Sequence, residues 1–294
     1  MWNSIKSRWS VIGLAVAVWC LGLVQGGAEV ARAQAPKKYR ILMVTTSKTF
    51  THNPVKRDKE TLAPSEVAIT QLGQSSGLFT VDCTQDPAKD FTPENLKNYD
   101  IVFFYTQGPD LEIPKANMEY FLNTWLKQKG HGFVATHSST DTYGEYEPYW
   151  DMIGGTFNGH PWNAGETVTI SVHDTKHPAS KVWGEEFQIK DEIYQYKHWQ
   201  PEKVHVLMSL NIAKCPTKKP YHVPVSWVKN WGEGRIFYTN LGHNTETWAN
   251  KNFIESILGG IKWVLGLEPG DATPNPEVSQ AQNEKAKVDA GDNK

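Results

Sequence analysis

Three histidines in this 294-residue chain each follow a run that reads as a strand. His52 comes after Ile41-Leu42-Met43-Val44-Thr45-Thr46, and His137 follows Gly132-Phe133-Val134-Ala135-Thr136. His243 comes after Arg235-Ile236-Phe237-Tyr238-Thr239-Asn240-Leu241-Gly242. Laid parallel in one sheet, these strands would carry all three imidazoles to its carboxyl-terminal edge, where open α/β sheets bind ligands. Neutral imidazoles suit zinc and its neighbours, and they exchange protons near neutral pH. The expectation is a cleft floored by His52, His137 and His243 and holding one zinc-like divalent ion. A metal-free site with His137 as general base is the alternative.

Carboxylates accompany two of these histidines. Asp141 follows His137 by one helical turn, and Glu246 follows His243 at the spacing of metal-binding helices. Asp191-Glu192-Ile193-Tyr194 reads as part of a strand, which would put Glu192 and Tyr194 on one face. The catalytic candidates are therefore His137, Glu192, His243 and Glu246, with Glu192 or Glu246 moving the proton. His52, Ser138, Asp141, His160 and Tyr194 are candidates for substrate binding, His160 lying in the glycine-rich loop Gly154 to Trp162. The plainer reading of each pair is an acid capping a turn beside a loop histidine. Ser138 as a hydrolase nucleophile is disfavoured, because the glycines of a G-x-S-x-G elbow are absent. His131, His173, His177, His198, His205 and His222 lack comparable context and read as surface or structural residues.

Tyr143, Tyr149, Trp150, Trp162, Tyr194 and Trp248 surround these loops in sequence. Aromatic faces beside hydrogen-bonding groups suit sugars, provided they cluster at the histidines. The expected partner is thus a small carbohydrate, with a carbohydrate-binding module that turns nothing over as the rival reading. Self-association is left open.

The elements needed to position such a site are legible. Strands are predicted over residues 40–46, 78–83, 99–105 and 132–136, with helices over 63–76 and from Pro114 to Gly130. Alternating strands and helices with short links argue for a parallel sheet covered on both faces. Beyond Trp150, strands at 168–172, 187–196, 204–208 and 223–228 come with few helices and predict a mixed or antiparallel extension. Strand 234–240 and helix 252–265 close the domain.

The ends differ from this middle. Lys6, Arg8, the apolar run Val11–Val24 and Ala31-Arg32-Ala33 have the form of a secretory signal peptide over residues 1–33. That implies a secreted or periplasmic protein with no membrane span left after cleavage. Residues 268–294 are polar and proline-punctuated, and predict a disordered tail after a domain spanning 37–267. The formal net charge is −2, and no basic patch is present, so nucleic acid is not expected as a partner. Cys83 and Cys215 remain beyond the leader, too few for a disulfide scaffold.

Several ordered blocks resemble the ThuA-like (trehalose utilisation) family of the class I glutamine amidotransferase-like superfamily, over about residues 39–266. They are Ser47 to His52, Gly132 to Ser138, Gly154-Gly155 with His160-Pro161, Asp174 with His177-Pro178, Asp191 to Tyr194, and Gly234 to His243. The resemblance implies a flavodoxin-like three-layer α/β/α sandwich in which His137 takes the elbow place of the amidotransferase cysteine. Glutaminase chemistry is then excluded, since Cys83 and Cys215 fall elsewhere. It further implies a role in disaccharide catabolism, by way of keto-sugar intermediates.

Overall fold

The computed structural model describes residues 37–291; the leader read at residues 1–33 lies outside them. Eleven strands form in chain order: β1 (Tyr39–Val44), β2 (Phe79–Thr84), β3 (Ile101–Phe104), β4 (Gly132–Thr136), β5 (Thr156–Phe157), β6 (Thr167–Val172), β7 (Glu186–Lys190), β8 (Tyr196–Lys197), β9 (His205–Leu210), β10 (Pro224–Trp231) and β11 (Gly234–Thr239). Nine make one sheet in the order β2-β1-β3-β4-β11-β10-β9-β6-β7, and β5 pairs with β8 apart from it. The strands from β2 to β11 in that order are parallel, and the remainder run antiparallel. The predicted parallel half with a mixed extension is the fold observed.

Burial on both faces explains the unbroken apolar runs. In β1, Ile41 and Met43 join the core beneath α1 (Pro64–Ser76) and α6 (Lys251–Val264). Leu42 and Val44 face the opposite core. Two short helices, α2 (Pro87–Asp90) and α3 (Pro93–Leu96), lead into β3. The opposite core is covered by α4 (Lys115–Tyr120), which continues through a π turn at Phe121–Trp125, and by α5 (Glu147–Ile153). Helix α6 lies close on the sheet at two glycines. A Cβ on Gly132 would fall 1.7 Å from Val264, and one on Gly260 would fall 2.2 Å from the Phe237 ring.

Three expectations need correction. The strand predicted over 187–196 ends at Lys190, and residues 191–194 run as an irregular segment joined to Trp162 by a single bridge at Ile193. The tail predicted as disordered over 268–294 carries α7 (Pro276–Asp289). Composition misled here because long-range hydrogen bonds hold the segment together with a few apolar contacts, Ala286 in one core and Val278 against the other. Asn275 accepts from the Val206 amide at 2.7 Å and donates to its carbonyl at 3.1 Å, pairing the β9 backbone like a further strand. Trp263 donates to the Gly270 carbonyl at 3.0 Å. Most of the flagged aromatics are also core residues: Tyr149 and Trp162 are fully buried, and Trp248 stacks on Tyr105. Among the described residues Cys83 and Cys215 are free thiols, and no described helix is long and apolar enough to cross a membrane.

Candidate active site

Strands β1, β4 and β11 end at one edge of the sheet, and the three imidazoles that follow them meet there. Ring centroids lie 4.9 Å apart for His52 and His137, 5.1 Å for His52 and His243, and 5.0 Å for His137 and His243. Each ring arrives by a different device. His137 is the first residue past β4 and sits at φ 43°, a left-handed conformation that costs an L residue about 1–2 kcal/mol. Neighbouring bonds hold that strain: Tyr238 Oη donates to the His137 carbonyl at 2.8 Å, and Ser139 Oγ donates to the Phe104 carbonyl at 2.8 Å. Gly242, at φ 123°, turns the chain after β11 so that His243 faces the cleft. His52 heads a 3-10 turn at Asn53–Val55.

The fourth member is Glu192. Its Oε2 lies 3.0 Å from His243 Nδ1 and 3.5 Å from His137 Nε2, and those two nitrogens are 3.1 Å apart. His137 Nδ1 is 2.8 Å from the Asn240 carbonyl and must donate to it, so Nε2 is the ring nitrogen turned toward the cluster. One nitrogen or oxygen from each of His52, His137, Glu192 and His243 lies within 4.8 Å of the others. Burial alone would raise the Glu192 carboxyl, but hydrogen bonds to His137 and His243 outweigh it and keep the group ionised, well below the usual carboxylate range. Burial, reinforced by His137 and His243, lowers His52 to about 2 and keeps it neutral. The second Glu192 oxygen is 3.2 Å from Nδ1 of His160, whose side chain is 48 % exposed. Glu192 therefore links the buried imidazoles to a ring open to solvent.

Tyr194 places its hydroxyl 3.3 Å from His52 Nε2, and burial followed by the Glu192 charge pushes the phenol far up, so it stays protonated. Asp141 lies across the cleft and accepts from Gln107 Nε2 at 2.8 Å. Thus His52, His137, Asp141, His160, Glu192, Tyr194 and His243 converge. Two candidates do not. Glu246 is exposed on the 3-10 turn Thr245–Ala249, so the helical pairing with His243 fails because no α-helix starts there. Ser138 is 1 % exposed, its Oγ has no hydrogen-bond partner among the described residues, and it does not line the cleft.

Two organising residues escaped the sequence reading. Asp191 is buried, accepting from the Gly242 amide at 2.7 Å, the Asn244 amide at 2.9 Å and Thr247 Oγ1 at 3.0 Å, which fixes the loop that presents His243. Asn240 orients His137 and also clamps Tyr194, accepting from its amide at 3.1 Å and donating to its carbonyl at 3.0 Å. Both stood in flagged sequence blocks, but their partners are distant in the chain. Gln107 was reachable by the strand-end logic, since β3 ends at the same edge.

A flavodoxin-like sheet with an imidazole at the strand-end elbow defines the class of this protein. A family model described as ThuA, trehalose utilisation, matches residues 40–264. The chain belongs to that family, whose description ties it to carbohydrate use. Among solved structures it is similar to a ThuA-like protein from Bacteroides uniformis, with 22% identity and a TM-score of 0.62 over 86% of this chain and 100% of that one. A ThuA-like protein from Parabacteroides merdae shares 17% identity, with a TM-score of 0.61 over 82% and 99% of the two chains. A comparison with curated proteins finds no match.

Proposed function

We propose that this protein is an exported carbohydrate-processing enzyme that cleaves or rearranges a disaccharide or keto-glycoside at the histidine–glutamate cluster. One observation carries the reading: His137 Nε2, His243 Nδ1 and Glu192 Oε2 lie 3.0–3.5 Å from one another. Zinc bonds of about 2.0–2.1 Å place tetrahedral ligands roughly 3.3 Å apart, so these three atoms have the spacing of a ligand set. The Asn240 carbonyl on His137 Nδ1 is the outer partner that such a ligand usually has. His137, His243, Glu192 and His52 would hold a divalent ion, which would polarise a sugar carbonyl or hydroxyl.

The remaining roles follow from position. His160, paired with the outer oxygen of Glu192 and open to solvent, is placed to bind substrate, Tyr194 donates from the cleft wall, and Asp141 accepts from a sugar hydroxyl. Little supports a binding-only module, because Trp162, Tyr149 and Trp248 are packed inside instead of facing a ligand. The test is turnover of a panel of disaccharides and their keto derivatives by chelator-treated protein, before and after zinc is restored. Turnover that returns with zinc supports the reading. Unchanged turnover in the stripped protein removes the metal, and none under any condition favours the binding module.

A further inference from the structure

The histidine–glutamate cluster opens into an inner cavity of about 350 Å³, walled by Phe50, His52, Glu192 and His243. A second cavity of about 580 Å³ adjoins it. Asp141 and Phe157 line both, so they form the wall where the two spaces meet. Each lies within the range of about 300–1,000 Å³ typical of small-molecule sites. Gln107, Glu145, Tyr146 and Lys197 line the outer space. Lys197 and Glu145 neutralise each other at 3.0 Å, which leaves Asp141 to give the compartment a negative excess.

We propose that the outer compartment binds the second ring of an uncharged two-ring carbohydrate, with Asp141 and Phe157 flanking the bond between the rings. This rests on the reading of the inner cluster as a carbohydrate site. The chemistry fits the ligand class. Phe157 and Tyr146 supply flat faces for C–H edges, while Asp141, Glu145 and Lys197 supply acceptors and donors for hydroxyls. Gln107 also fixes the junction. Its Oε1 accepts from the Phe50 amide at 2.9 Å, and its Nε2 holds Asp141, so the inner loop and the dividing carboxylate are set by one side chain. The acidic excess excludes a phosphorylated second ring.

Gly144 offers a clean test. It lines only the outer cavity, and a Cβ built on it meets nothing within 4 Å. Gly144→Trp fills the compartment without displacing the inner site, and Lys197→Ala removes a rim contact on an exposed side chain. Calorimetry on the purified full chain would use glucose, trehalose, cellobiose and trehalose 6-phosphate, with zinc affinity measured on the same samples. The expected result is at least tenfold tighter binding of a disaccharide than of glucose, with the phosphate ester excluded. Gly144→Trp abolishes that advantage, Lys197→Ala reduces it several-fold, and glucose and zinc binding stay unchanged. Equal affinities for glucose and the disaccharides, unmoved by Gly144→Trp, overturn the compartment and leave the cluster reading standing. If no sugar binds while zinc does, the carbohydrate role of both spaces falls; if zinc fails too, the cluster reading falls with it.

Discussion

Histidines gather in two regions of this molecule, and the contrast separates a site from a core. At the carboxyl edge of the sheet, His52, His137 and His243 share Glu192 and open onto a cavity. On the other side, His173, His177, His205 and His222 lie beside the C-terminal segment that carries α7. His205 Nδ1 is 2.7 Å from the Thr273 carbonyl, His173 meets Ser209 Oγ, and the His222 amide donates to Asn283. Among the described residues neither ring nitrogen of His222 has a partner, and His177 Nε2 has none either. Burial lowers His173 and His177 to about 4 and His222 to about 3, so these rings serve as neutral packing. Clustering of imidazoles is therefore not what marks function. A shared carboxylate, a fixed tautomer and an opening to solvent are.

That contrast breaks most visibly by substitution of one ring from each region. His137→Ala is expected to lower turnover by more than about a hundredfold, the scale of a lost acid–base or ligand group, whereas His177→Ala leaves kcat unaltered. Comparable losses in both variants, read by steady-state kinetics on a disaccharide, would erase the distinction. Next in size is Asp191→Ala, which strands the buried amides of Gly242 and Asn244. It should cost about 3 kcal/mol, read as a lower urea midpoint. Zinc affinity should drop about tenfold, because His243 loses its support.

The smallest effect concerns acid stability. His173, His177 and His222 are neutral when folded but take up protons when unfolded, near their ordinary value of 6.5. Stability must therefore fall as pH drops below about 6.5, and keep falling until the folded rings themselves titrate near 3–4. His222→Phe removes one of these proton sites and two unpartnered nitrogens. It should change stability by less than about 1 kcal/mol at pH 7 and move the acid unfolding midpoint to lower pH. A midpoint that stays in place would mean that His222 keeps its ordinary affinity for protons.

The parallel half of the fold was legible because strands covered on both faces need continuous apolar runs, and helices α1, α4 and α6 carry the matching periodicity. The strand-end rule located His52, His137 and His243 for the same reason: topology alone decides where strand ends point. What local pattern leaves hidden is long-range hydrogen bonding. Asp191 and Asn240 do their work through partners about fifty residues or more away, and α7 is tied down by Asn275 on the β9 backbone and by Asn283 on the His222 amide. Glu246 shows the opposite error. Its spacing from His243 suits a helix, yet the chain there makes only a 3-10 turn and leaves the carboxylate in solvent.

Direct titration of chelator-treated protein with zinc at pH 7, followed by calorimetry, bears most closely on the cluster. One ion per chain is expected, with binding abolished in both Glu192→Gln and His243→Ala. Binding that survives in both variants, or no binding to the unsubstituted protein, would contradict a ligand set built from His137, His243 and Glu192.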